Sequence, residues 1–315
     1  MKNIYSMIVL ACAFLTSCQD DSVDLPTLNV SVEKSEYVEG ELAQFQLTGN
    51  ADFVTFFSGE VGSRHEFSGR TSAEGTPIMS FNSALANGSQ ESSLQLLISQ
   101  DLYMLGTRDS ATVAQGITTA TWTDITDRAE WATSSSNKGS GDIDLTDFSD
   151  KPVYLAFKYK GYPGSVQNKW TISSLAVKNN LADSTSYNIA NHGTSAINNY
   201  GVSTTVSPGW VGSNLVNSYN WGVSSSNFVI TGSTNAGTAA EAEAWCISGP
   251  IDLTHVTPDV GKLVKNMSAS MTDYEYQFNT AGEYKVSFVG KASNIYGAEE
   301  VVKELDVVVQ PLEED

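Results

Sequence analysis

The residues best suited to chemistry in this 315-residue chain lie between Asn198 and Asn227, where Tyr200, Trp210, Tyr219 and Trp221 are set among Asn198, Asn199, Asn214, Asn217, Asn220 and many Ser and Gly. Flat rings stack on the apolar faces of sugars, and amides and hydroxyls around them hydrogen-bond sugar hydroxyls. Large exposed rings also tend to mark binding surfaces, so Tyr200, Trp210, Tyr219 and Trp221 are the candidate glycan-binding residues. The alternative is that two or three of these rings cap a β core beneath a long loop. Trp122, Trp170 and Trp245 sit in strand patterns and are expected in the core, whereas Trp131 has no pattern to assign it. A second cluster, Asp142, Asp144, Asp147 and Asp150, offers the hard oxygen ligands that calcium prefers. A structural calcium on Asp142, Asp144 and Asp147 is one reading. A solvated strand face is the other, since no EF-hand spacing is present. His65, His192 and His255 are scattered and no nucleophile motif adjoins them. Glycoside hydrolysis needs two carboxyls ~5–10 Å apart across a cleft, and acidic pairs such as Glu241 and Glu243 are not singled out by spacing. The expectation is therefore no catalytic residues and no enzymatic activity.

At the start of the chain, Lys2 precedes an apolar run from Met7 to Leu15, then Leu15-Thr16-Ser17-Cys18 and the polar Gln19-Asp20-Asp21. The run is far shorter than the ~20 apolar residues of a membrane-spanning helix, and the layout is that of a secretory signal. Leu15 to Cys18 resembles a lipobox, which implies a signal peptide over residues 1–17 and acylation of Cys18. Several acyl chains anchor a soluble body stably where one binds only marginally. The acidic residues after Cys18 resemble a surface-export tag, so the expected location is the outer membrane, on the cell surface, held by lipid. Formal charge is −19, from 17 basic and 36 acidic residues, with no basic cluster. That excludes the phosphate-binding surface a nucleic-acid partner requires. Once Cys12 leaves with the signal and Cys18 is acylated, Cys246 has no partner and no disulfide framework exists. Its setting, Ala244-Trp245-Cys246-Ile247, reads as a strand with a buried thiol.

The elements that must position these residues are strands. Apolar residues alternate at Leu28/Val30/Val32, Ala43/Phe45/Leu47 and Phe53/Thr55/Phe57, and again at Tyr274/Tyr276/Phe278, Tyr284/Val286/Phe288 and Leu305/Val307/Val309. Ala281-Gly282-Glu283-Tyr284-Lys285-Val286 resembles the penultimate-strand motif of PKD and other Ig-like domains, with a Tyr bracing the corner. Residues 28–75 and 256–311 together match the ~100 residues of one Ig-like sandwich, and so small a half would be marginal alone. The expected organisation is an acidic linker at 18–27, a split Ig/PKD-like domain at 28–75 and 256–311, and an inserted jelly-roll domain at 76–255. Two tandem modules are the competing arrangement. In the inserted segment, strands are expected at 93–99, 119–122, 153–159, 170–177, 227–232 and 244–248, a number that suits two antiparallel sheets. Ser140-Gly141-Asp142-Ile143-Asp144-Leu145-Thr146 reappears as Ser248-Gly249-Pro250-Ile251-Asp252-Leu253-Thr254. The segment 140–159 followed by Lys169-Trp170-Thr171-Ile172 resembles the carbohydrate-module-like jelly rolls of cleaved-adhesin proteins.

Gly49-Asn50-Ala51-Asp52-Phe53-Val54-Thr55-Phe56-Phe57-Ser58-Gly59-Glu60, Thr121-Trp122-Thr123-Asp124-Ile125-Thr126, Pro152-Val153-Tyr154-Leu155-Ala156-Phe157 and the closing 282–309 together resemble one family of Bacteroidota surface lipoproteins of unknown function. Its members are often found beside SusC/SusD-type glycan importers. The resemblance implies capture of a polysaccharide or oligosaccharide for uptake. A structural or adhesive protein docking to such an importer is the second reading, and a glycoside hydrolase or lyase the third. Asp21-Ser22-Val23, Asp109-Ser110-Ala111 and Asp183-Ser184-Thr185 resemble the O-glycosylation site of the same bacterial group.

Overall fold

Alternation at period two sends successive side chains to opposite faces of a strand. In the computed structural model, which describes residues 22–102, 110–192 and 208–313, nearly all regular structure is β. In chain order the elements are β1 (Leu28–Val32), β2 (Glu36–Val38), β3 (Leu42–Gly49), β4 (Phe53–Phe57), β5 (Thr76–Asn87), β6 (Leu94–Ser99) and helix α1 (Ser110–Thr119). There follow β7 (Thr123–Asp124), β8 (Lys138–Gly139), β9 (Ile143–Asp144), β10 (Tyr154–Gly161), β11 (Asn168–Asn180), β12 (Ser186–Asn191), β13 (Trp210–Val216), β14 (Gly222–Val223), β15 (Asn227–Thr231) and β16 (Ala242–Ser248). The last are β17 (Lys262–Lys265), β18 (Asp273–Gln277), β19 (Gly282–Asn294) and β20 (Gly297–Gln310). The chain divides into two units, one from the described residues of Met1–Gly69 and Pro258–Asp315, the other from those of Arg70–Thr257.

In the first unit the sheet β1-β3-β18 packs on the sheet β17-β4-β19-β20-β2. Phe45 from one sheet meets Phe56 and Phe288 from the other at ring separations of 5.8 and 5.2 Å, tilted as aromatic quadrupoles prefer. Each such ring, fully buried, stabilises the fold by about 1.5–3 kcal/mol. β2 runs parallel to β20, so the beginning and the end of the unit share one sheet. Tyr284 stacks on Phe278, and its hydroxyl donates to the Thr280 carbonyl at 2.7 Å, which pins the corner before β19. Gly49 ends β3 at φ +143°, where a Cβ would stand 2.1 Å from the Thr27 carbonyl oxygen, so only glycine closes this end of the β1–β3 ladder.

The second unit is also a two-sheet sandwich. One sheet has the order β13-β16-β10-β6-β7, and the other β14-β15-β11-β5-β8, with β12 added beside β11 and β9 beside β5. Leu96, Phe157 and Cys246 from the first sheet share a core with Phe81, Ile172 and Phe228 from the second. The other face of the first sheet is covered as well. Leu97, Ala156, Trp245 and Ile247 pack under Val113 and Ile117 of α1, which lie one helical turn apart. Burial on both faces explains why Leu94–Ser99 and Ala242–Ser248 read as near-continuous apolar runs. The strand expected at 119–122 is not formed, because Thr119 closes the helix with its hydroxyl on the Gln115 carbonyl and pairing resumes at Thr123.

The internal echo at 140–146 and 248–254 proves to be a folding device with a third copy. Asp124, Asp144 and Asp252 each accept, on Oδ1, the backbone N–H of the Thr two residues on, at 2.9, 2.8 and 2.9 Å. The residue between, Ile125, Leu145 or Leu253, is thereby turned into the core. Replacing Asp252 by Ala removes one clip worth about 1 kcal/mol. Calorimetry should then show melting lowered by about 2–4 °C, with Asp252→Asn close to the parent.

Candidate functional site

Three segments distant in sequence meet at one end of the inserted sandwich and enclose a cleft of about 400 Å³, within the ~300–1,000 Å³ usual for small-ligand sites. Leu85, Leu94 and Ala132 contribute its apolar surface, Trp131 and Trp170 its rings, and Ser89, Gln90, Glu91, Ser92, Thr126 and Thr133 its polar groups. Trp170 is almost wholly buried, so Trp131, half-buried, is the ring with surface to offer. It is held from three sides. Its indole Nε1–H donates to the Thr126 carbonyl at 3.0 Å, its ring lies 5.2 Å from Phe81, and it meets Trp170 edge-on at 5.9 Å and 78°. The first Asp-Ile-Thr clip sets the turn that carries it, and the Thr126 hydroxyl accepts the Leu96 N–H at 3.0 Å.

The opposite lip is the connection between β5 and β6, fastened by a buried polar network. Asn168, fully buried, accepts the Gln90 N–H at 3.0 Å and donates to the Gln90 carbonyl at 2.7 Å and the Ser93 hydroxyl at 2.6 Å. The same Ser93 hydroxyl accepts the Trp170 indole N–H at 2.9 Å. Gly88 lets the lip approach its neighbour, for a Cβ there would fall 2.1 Å from the Val166 carbonyl oxygen. Ser92 sits at φ +50°, a left-handed conformation that is sterically costly for a residue with a Cβ. The Gln90 amide is consumed internally by Tyr162 and Ser165. Glu91 and Ser92, both exposed at the lip, are left facing solvent beside the Trp131 ring. A half-exposed indole, an exposed carboxylate and surrounding hydroxyls can bind a ring that has one apolar face and a hydroxylated edge. Glu91 is the one carboxylate among the described lining residues, so the lining holds no acid–base pair. A wider groove of about 520 Å³ crosses the first unit between Phe53, Thr55, Leu263 and Val289, but no indole lines it.

Of the residues expected to form the platform, Tyr200 lies outside the described residues, as does Cys18. Two of the others, Trp210 and Trp221, require correction. Trp210 is fully buried between Phe228 and Phe157, with its N–H on the Asn191 carbonyl, and Trp221 is buried with its N–H on the Ala244 carbonyl. An indole whose single donor is satisfied is readily taken into a core. Tyr219 is half-buried against the same core, so these rings present no shared face to a ligand. The calcium ligands also need correction. Asp144 is engaged by the N–H and hydroxyl of Thr146, and Asp147 pairs with Arg128 at 3.0 Å. Asp142 is exposed, and among the described residues no three acidic, His or Cys side chains converge as a metal ion needs. Trp131, Trp170 and Glu91 were missed as a group because strand pairing alone brings them together. The available signal was the absence of strand pattern around Trp131.

Cys246 and His192 are titratable groups buried away from the cleft. Burial pushes the Cys246 thiol up, keeping it protonated and inert. Burial also lowers the His192 pKa, its ring held between the Leu175 N–H on Nδ1 and the Ile172 carbonyl beside Nε2. The folded state therefore keeps His192 neutral at a pH where the unfolded chain, titrating near ~6.5, already binds a proton. Its contribution to stability is present above that pH and declines as pH falls toward the folded value. Melting should drop as pH is lowered from 7.5 to 5, and His192→Asn, which retains an acceptor for the Leu175 N–H, should flatten that slope.

A family described as "Domain of unknown function (DUF5017)" matches residues 17–197, which run from ahead of β1 through β12. No curated protein matches the chain.

Proposed function

We propose that this chain, which belongs to the DUF5017 family, is a non-catalytic, lipid-anchored surface protein that captures a polysaccharide in the cleft beside Trp131. The observation that carries the reading is the half-exposed Trp131 ring, braced by Phe81 and Trp170 and facing a lip that carries Glu91 and Ser92. A sugar would lay its C–H face on the indole and direct its hydroxyls to the lip. The fastening of that lip by Asn168 supports binding without a large ordering penalty, since the groups are held before the ligand arrives. The proposed anchor is Cys18, the location the outer face of a Bacteroidota outer membrane, and the setting a glycan-uptake system beside a SusC/SusD-type importer. Among the described residues no helix is long and apolar enough to cross a membrane. A lone carboxylate in the lining favours binding over glycoside hydrolysis.

The test is a glycan array probed with the chain from residue 18 onward, together with metabolic labelling by palmitate in its host. The reading expects retention of a polysaccharide or its oligomers with no release of reducing sugar, and label incorporation that Cys18→Ala abolishes. A chain silent across the array that co-purifies with an outer-membrane protein would replace glycan capture by docking.

A further inference from the structure

Among the described residues that line it, the Trp131 cleft holds a single charge, the carboxylate of Glu91, set among hydroxyls, amides and apolar groups. Glu91 is exposed and enters no hydrogen bond or ion pair among the described residues, so both of its oxygens are open to a ligand. The cations on the segments that build the cleft are directed elsewhere. Lys138 pairs with Glu130 at 2.6 Å, and Arg128 with Asp147 at 3.0 Å. Successive strand residues turn to opposite faces, so Lys169 leaves β11 on the side away from Trp170. Lys158 and Lys160 likewise leave β10 on the side away from Phe157 and Tyr159 of the shared core, and Lys158 pairs there with Glu243 at 3.2 Å. The chain as a whole carries a formal charge of −19.

The inference that follows rests on the reading of this cleft as a glycan site. We propose that it takes glycans whose sugar units bear no acidic group, and that Glu91 turns uronic-acid and sulfated chains away. An ionised carboxylate only accepts hydrogen bonds, so its two oxygens suit a pair of neighbouring sugar hydroxyls, which donate. An ionised acid in their place has nothing to donate and brings a second negative charge to within about 5 Å, where repulsion lowers affinity about tenfold. The Trp131 ring selects in the same direction. The face of an aromatic ring is the negative end of its quadrupole, which favours the C–H groups of a sugar and disfavours an anion. Specificity needs a repulsive element as well as an attractive one; here the indole attracts and Glu91 repels. Charge elsewhere on the chain slows the approach of a polyanion from a distance, but salt at about 0.15 M screens it beyond about 8 Å and leaves contact with Glu91 the stronger discriminator.

The experiment probes the chain from residue 18 onward, at about 0.15 M salt, with an array of neutral, uronic-acid and sulfated polysaccharides. Each retained neutral glycan is then compared with the product of oxidising its primary hydroxyls to carboxylates. The parent should retain neutral glycans and bind the oxidised product about tenfold more weakly. Glu91→Gln should weaken the neutral glycan a few-fold and bring the oxidised product close to it, and Glu91→Lys should reverse the order. Glu91 is exposed, so neither change disturbs the core. An acidic glycan that the parent binds as well as its neutral counterpart overturns the selection and leaves glycan capture standing. A preference for neutral glycans that both Glu91 variants leave untouched overturns the role of Glu91 and assigns the selection to the overall charge of the chain. A parent that binds nothing on the array removes glycan capture itself, and the selection with it.

Discussion

Asn168→Ala should lower the melting temperature of the inserted unit by about 10 °C. The side chain is fully buried and makes three hydrogen bonds, to the N–H and carbonyl of Gln90 and to the Ser93 hydroxyl. Alanine leaves all three of those groups without this partner, and the Ser93 hydroxyl, itself buried, retains only the Trp170 indole. An orphaned buried polar group costs about 1–3 kcal/mol. Taking the low end for the part-buried Gln90 backbone, the total is about 3–4 kcal/mol. A unit of this size loses about 2–4 °C per kcal/mol. Differential scanning calorimetry reads the shift directly, and a change of about 1 °C would mean the network stabilises neither the fold nor the lip. Asn168→Asp should be at least as damaging, because it places a charge where water is excluded. The lip carrying Glu91 and Ser92 should also loosen, so ligand binding should weaken in any Asn168 variant that still folds.

Trp131→Ala should weaken glycan binding about 30-fold. Covering one face of an indole with the apolar face of a sugar is worth about 2 kcal/mol by area, and about 1.4 kcal/mol corresponds to tenfold in Kd. Truncation also removes contacts with Phe81 and Trp170 and the bond to the Thr126 carbonyl, so stability must be followed in parallel. Trp131→Phe keeps a ring for Phe81 and Trp170 to pack on and should bind within a few-fold of the parent. Glu91→Gln keeps the size of the side chain and an acceptor while removing the charge. Titration calorimetry with the ligand found on the array should show a loss smaller than that of Trp131→Ala. Equal losses would make the carboxylate, not the ring, the main contact.

The all-β class was legible because alternation at Ala43/Phe45/Leu47 or Tyr284/Val286/Phe288 has no other physical outcome. Helix α1 was not, for Ser110–Thr119 is rich in Thr and carries a Gly, poor helix formers that tertiary packing overrides. Its Val113 and Ile117 are apolar because the sheet beneath has a second buried face, which no local pattern states. The rings near Asn217 misled for a related reason. A setting rich in Asn, Ser and Gly reads as exposed loop, yet β13 and β15 carry Trp210 and Phe228 into one core. Polar neighbours describe the outward face of an edge strand and say little about the residues turned inward. The cleft itself joins residues near positions 90, 131 and 170, and those distances along the chain close only when β5 pairs with β11 in one sheet and β6 takes its place in the facing sheet. The recurring Asp-(Ile/Leu)-Thr triplet was visible as a repeat in two copies, but its purpose needed the hydrogen bonds.

Glycan capture at Trp131 is tested most directly by affinity electrophoresis in gels containing the polysaccharide that the array identifies, comparing the parent with Trp131→Phe and Trp131→Ala. The parent and Trp131→Phe should be retarded, and a folded Trp131→Ala should migrate as it does in a gel without polysaccharide. Retardation of Trp131→Ala equal to that of the parent would contradict the assignment of the cleft.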